Sequence, residues 1–177
     1  MNEISVLSET PLASPAKRRI VIGIGEYAVS GDSDAMIITH ALGSCVAVCV
    51  WDPTARVGGM VHVLLPDSKI NPARAEVQPG AFADTGIPLL FHAAYQKGAK
   101  KGRCRVHIVG GATISGAPVA EPSIGKRNVL AARALLWRNG VLVEKEVVGG
   151  SAARNVSLDL SDGSLPLSGA QVGTAAL

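Results

Sequence analysis

Apolar residues along this chain switch repeatedly between the period of a strand and the period of a helix, and no internal repeat is visible. Arg19 to Tyr27 and Ala35 to Thr39 read as short strands on either side of a turn at Gly31-Asp32-Ser33. Further on, Val46, Val48 and Val50 alternate with Cys45, Ala47, Cys49 and Trp51, the pattern of a strand buried on both faces. Asp52-Pro53-Thr54-Ala55 supplies turn chemistry, and Val57 to Leu65 forms a second strand ended by Pro66. A β-hairpin with a four-residue loop from Asp52 to Ala55 is the economical reading.

Beyond the hairpin, residues 71 to 82 read as a long loop. A helix over Ile87 to Lys97 follows, capped by Asp84 or Thr85 and stopped by Gly98. Arg103 to Val109 alternates as a strand into Gly110-Gly111. A second helix spans Gly125 to Asn139, with Val129, Leu130, Ala132, Leu136 and Trp137 predicted to face inward. Val141 to Val148 and Asn155 to Leu160 read as further strands. The whole is one mixed α and β domain over residues 19 to 167, between tails at 1 to 18 and 168 to 177 that lack periodicity and are expected to be mobile.

Composition narrows the class. A length of 177 residues suits one core, and 47% hydrophobic against 18% charged residues belongs to a globular protein. The net charge of +3 is small and the basic groups are not interleaved with aromatics, so nucleic acid is not an expected partner. The three cysteines form neither a zinc pattern nor a disulfide scaffold, which points to a reducing compartment. With no apolar run long enough for a signal peptide core or a membrane span, the expected location is the cytoplasm, without membrane insertion.

The hairpin carries the candidate chemistry. The midpoint between Cys45 and His62 falls between Pro53 and Thr54, in the middle of the predicted turn, so a hairpin closed there sets thiol and imidazole opposite each other on one face. A slip of one residue would part them. An adjacent imidazole takes the thiol proton and creates the nucleophile that acyl transfer requires. Thr39 is a candidate to orient the imidazole, and Gly43 and Ser44, in a small, flexible stretch before the strand, are candidates to turn backbone N–H groups toward an oxyanion or to admit a substrate. The plain alternative is that Cys45 and His62 are both packed core residues, since free cysteine is among the most buried residue types. Periodicity alone does not choose between the two.

The residues themselves resemble a known family. The run Thr39 to Met60, THALGSCVAVCVWDPTARVGGM, followed by Val61-His62-Val63-Leu64-Leu65-Pro66, is similar to the signature of CheD, the chemoreceptor glutamine deamidase of chemotaxis. The likeness continues through Phe82-Ala83-Asp84-Thr85, Gly110-Gly111-Ala112, Ile124-Gly125 with Arg127-Asn128, and Val148-Gly149-Gly150. Lys126 and the stretch Ser151 to Arg154 depart from the family pattern, away from the hairpin.

The resemblance implies an α+β fold of two packed, mostly antiparallel β layers flanked by helices, similar to the cysteine hydrolase domain of cytotoxic necrotizing factor toxins. It implies Cys45 as nucleophile, His62 as its base and Thr39 as the orienting partner. The implied reaction converts glutamines on chemoreceptor cytoplasmic helices to glutamate with release of ammonia, through a thioester and without metal or organic cofactor. Glutamate methyl esters are a second implied substrate, and a CheC-type phosphatase is an implied partner. The competing readings are a non-catalytic chemotaxis module that binds receptors or such a phosphatase, and a hydrolase of small amides.

Overall fold

The computed structural model describes residues 17–113, 122–169 and 173–176. Among the described residues, ten strands form two five-stranded mixed sheets. One sheet has the order β1 (Arg18–Val21), β3 (Ala35–Leu42), β8 (Arg154–Asp159), β9 (Pro166–Gly169), β10 (Gly173–Ala176). The other runs β2 (Tyr27–Ser30), β5 (Val57–Val63), β4 (Val46–Asp52), β6 (Arg105–Gly110), β7 (Lys145–Val148). The α-helices among the described residues are α1 (Pro72–Val77), α2 (Ala83–Gln96) and α3 (Ile124–Arg138).

The fold is therefore α+β, as expected, in three layers. Ile37, Leu42, Val156, Leu158 and Leu160 of the first sheet meet Ala47, Cys49, Trp51 and Met60 of the second in one core. The opposite face of the second sheet, built from Val46, Val48, Val50, Val61 and Val63, packs under Ile87, Leu90 and Phe91 of α2 and Val129, Ala132 and Leu136 of α3. Strands β4 and β5 are thus buried on both sides, which is why their apolar runs are continuous. Gly58 and Gly59 allow this double cover: a Cβ on Gly58 would lie 2.4 Å from Leu160 of the facing sheet, and one on Gly59 would lie 2.7 Å from Leu90 of α2.

Several expectations need correction. The strand read from Arg19 to Tyr27 breaks at Gly23-Ile24-Gly25, and its two halves join different sheets: β1 runs parallel to β3, whereas β2 pairs antiparallel with β5. The stretch 71 to 82 holds α1 and a 3-10 turn rather than a plain loop. Helix α2 begins at Ala83 without a side-chain cap, because Asp84 accepts from Ser68 instead and Thr85 donates to the Pro79 carbonyl. On α3, Val129, Ala132 and Leu136 face inward as expected, but Leu130 is half exposed and Trp137 is 79% exposed. The strand expected over 141 to 148 occupies Lys145–Val148 alone. Within the segment read as a C-terminal tail, Gly173–Ala176 pairs antiparallel with β9. Of the N-terminal tail, residues 1–16 lie outside the described residues.

Candidate active site

Strands β4 and β5 form the expected hairpin, in a register different from the expected one. Asp52 pairs with Val57 and Ala47 with His62, so the four-residue loop is Pro53 to Arg56. The shift is two residues, which preserves the face. Cys45, just ahead of β4, lines the core between the sheets with Ala47 and Cys49, and His62, opposite Ala47, faces the same side. Thiol and imidazole are therefore diagonal rather than direct neighbours, a spacing that long side chains span.

Thr39 reaches this pair from the other sheet. Its hydroxyl donates to the Ile22 carbonyl at 2.9 Å and lies 2.7 Å from His62 Nδ1. Since the hydroxyl proton is engaged by a carbonyl, the bond to the imidazole is formed by Nδ1–H donating to Thr39 Oγ1. That tautomer leaves Nε2 as a bare acceptor, and Nε2 is buried with no partner among the described residues. Thr39 is completely buried, and the His62 backbone is pinned by exchange with Glu26 and Gly25.

Burial controls the protonation of both groups. The His62 pKa falls to about 4 through loss of hydration, so the imidazole is neutral at pH 7. Burial pushes the Cys45 thiol up, opposed by its own backbone N–H. Thiol and imidazole are thus both uncharged at pH 7.

The chain crosses from the first sheet to the second between Thr39 and Cys45. The β3–β8 register shifts between Thr39 and Leu42, and Ala41 takes a left-handed conformation with φ 55°. Its N–H is held by the Asn155 side chain at 2.9 Å, and its carbonyl accepts the Gly43 N–H at 2.8 Å. Of the two residues expected to present N–H groups, Gly43 therefore has its own engaged, while that of Ser44 finds no acceptor among the described residues. Gly110 lies against the site: a Cβ there would come within 2.3 Å of the Cys45 carbonyl, and its φ of 113° suits glycine.

Two buried polar residues near the site had no role assigned from the sequence. Asn128 of α3 donates from Nδ2 to the carbonyls of Ser44 and Leu64, each at 2.9 Å. Arg154 of β8 donates to the Gly110 carbonyl at 3.2 Å and to that of Gly149, with no carboxylate partner among the described residues. The signal for Asn128 was a polar residue inside the apolar stripe of a helix. Arg154 carried none, since an arginine on a late strand usually faces water.

Comparisons with known proteins show the family of the chain as a whole. The CheD family profile, described as CheD chemotactic sensory transduction, matches residues 64–168. The chain is 47% identical over 154 residues to a probable chemoreceptor glutamine deamidase CheD 2 of Anaeromyxobacter dehalogenans, covering 86% of this chain and 96% of that protein. It is 43% identical over 147 residues to a probable chemoreceptor glutamine deamidase CheD of Solibacter usitatus, covering 83% and 86%. It is 42% identical over 145 residues to the chemoreceptor glutamine deamidase CheD of Thermotoga maritima, covering 82% and 88%.

Proposed function

The chain belongs to the CheD family, and from that premise we propose that it deamidates glutamines of chemoreceptors, with Cys45 as nucleophile, His62 as base and Thr39 as the group that orients the imidazole. The observation that carries the reading is the Thr39–His62 hydrogen bond, which commits Nδ1 as a donor and leaves Nε2 free on the face that Cys45 shares.

The reaction is an acyl transfer in two halves. His62 Nε2 takes the thiol proton while the sulfur adds to the glutamine amide carbon, and the carbonyl π pair moves onto oxygen. The tetrahedral adduct collapses, the C–N bond breaks, and the proton on His62 leaves with the nitrogen as ammonia. Water then adds to the thioester with its proton passing to His62. The C–S bond breaks, and sulfur recovers that proton as glutamate departs. Backbone N–H groups of Ser44 and its neighbourhood stabilise the oxyanion in both halves, and Gly43 leaves room for the substrate chain. Glutamate methyl esters fit the same scheme with methanol as leaving group.

The substrate segments are receptor helices in the cytoplasm. Among the described residues no helix is long and apolar enough to cross a membrane.

The test is mass spectrometry of a receptor cytoplasmic fragment after incubation with the protein. The expected result is a gain of about one dalton at particular glutamines, the difference between an amide and an acid, and none with folded Cys45→Ala. Full turnover by folded Cys45→Ala would remove the cysteine mechanism. Binding to receptors or to a CheC-type phosphatase with no mass change would favour a non-catalytic module. Consumption of free glutamine without receptor would favour a small-amide hydrolase.

A further inference from the structure

Three consecutive carbonyls around the nucleophile are each held by a donor from outside their own segment. Gly43 O accepts from Ala112 N–H at 2.8 Å, Ser44 O from Asn128 Nδ2 at 2.9 Å, and Cys45 O from Gly111 N–H at 2.8 Å. A trans peptide sets its N–H antiparallel to its C=O, so holding the carbonyls of Gly43 and Ser44 also fixes where the N–H groups of Ser44 and Cys45 point. Among the described residues neither of these N–H groups donates to a carbonyl. Burial pushes the Cys45 thiol up, and its own backbone N–H works in the opposite direction.

We propose that Asn128 is a positioning residue for the deamidation: its side-chain amide locks the Ser44–Cys45 peptide so that the Cys45 N–H points at the oxygen that becomes negative when sulfur adds to the amide carbon. The inference rests on the deamidase reading and adds to it a residue that touches neither substrate nor sulfur.

The setting of Asn128 is hard to explain by packing alone. The residue is completely buried on the apolar face of α3, beside Gly125, Val129 and Ala132. Its Oδ1 has no partner among the described residues, a cost that alanine or leucine would avoid. Its two Nδ2 hydrogens go to the two chain segments that matter, Ser44 immediately before the nucleophile and Leu64 two residues after the base. Both are backbone carbonyls at the open end of the hairpin, beyond the last ladder pair Val46–Val63. One amide therefore fixes the direction of the peptide immediately before the nucleophile, with Leu64 O as its second anchor.

The experiment compares Asn128→Ala and Asn128→Asp with the parent, the latter keeping the shape of the side chain without its N–H donors. The readouts are kcat and KM on a receptor cytoplasmic fragment, and the pH profile of Cys45 alkylation by iodoacetamide, located by peptide mapping. Alkylation needs the thiol and its base but creates no oxyanion. The expected result is a fall in kcat of about 100-fold, the usual effect of losing one oxyanion donor. KM and the alkylation profile should stay within about two-fold of the parent. Parental kcat in the folded variants overturns the proposal. So does an alkylation rate that falls by the same factor as kcat, or failure of both variants to fold, because Asn128 would then be supporting the frame and not the oxyanion. A parent protein that alkylates normally but deamidates nothing overturns the deamidase reading, and is told apart by being inactive before any substitution.

Discussion

The two ends of the β4–β5 hairpin each bury a polar group, and they treat it in opposite ways. At the closed end, Asp52 is completely buried and its carboxylate is saturated: it accepts from the N–H groups of Thr54, Ala55 and Lys100 and from Arg103. Burial pushes its pKa up, but the Arg103 guanidinium and those N–H donors outweigh it and bring the value down to about 2. At the open end, His62 has one nitrogen satisfied by Thr39 and the other bare, and burial moves its pKa to about 4 without a compensating charge. The saturated group holds a loop in place. The unsaturated one retains a lone pair without a partner among the described residues, which the proposed mechanism uses to take a proton.

Substitutions at the two ends should therefore separate activity from stability. The largest effect is expected from His62→Ala, which should lower kcat for ammonia release by at least about 1,000-fold while the protein stays folded by circular dichroism, the upper range for loss of a general base. Next, Asp52→Ala should destabilise by about 3 kcal/mol in urea unfolding, since it removes the buried acceptor shared by the Thr54, Ala55 and Lys100 N–H groups and the Arg103 guanidinium. Its activity per folded molecule should remain near parental, and a collapse of kcat there would erase the contrast.

The pH dependence of stability sharpens the comparison. His62 has a folded pKa of about 4 against an unfolded value of about 6.5, so the unfolded chain binds more protons between those limits. Stability is then fully present above pH 6.5 and is lost as pH falls towards 4, by up to roughly 3 kcal/mol from this residue. His107, also lowered chiefly by burial, adds to the same slope. Urea unfolding at pH 7 and pH 4.5 should show a shallower dependence for His62→Gln than for the parent, and identical slopes would contradict the assignment. The smallest effect is expected from Thr39→Val, which frees Nδ1 to change tautomer and should lower kcat about 10-fold to 100-fold, with a loss of about 1–3 kcal/mol from two broken buried hydrogen bonds.

Face was easier to read from the sequence than partner. Alternation from Cys45 to Trp51 and from Val57 to Leu65 identified both strands, and parity alone placed Cys45 and His62 on one side. The direct pairing of the two was wrong by two residues because the loop ends at Arg56, a non-glycine residue with φ 53°, where turn chemistry announces no left-handed position. The break at Gly23-Ile24-Gly25 was missed because strand propensity says nothing about which sheet a segment joins. Trp137 misled for another reason: one residue on from the buried Leu136 it lies about 100° further round α3, on the side that faces water. Asn128 was visible as part of a family motif, yet its work depends on two carbonyls distant in sequence, from Ser44 and Leu64, which no local pattern encodes.

Thr39 and His62 belong to different sheets, joined at this point by one hydrogen bond. In the proposed mechanism, proton transfer through His62 is consequently a gauge of how the two layers are aligned. A small sliding of one over the other, caused by a softened core around Leu158 and Met60 or by a partner gripping one outer surface, would detune the imidazole long before the chain unfolded.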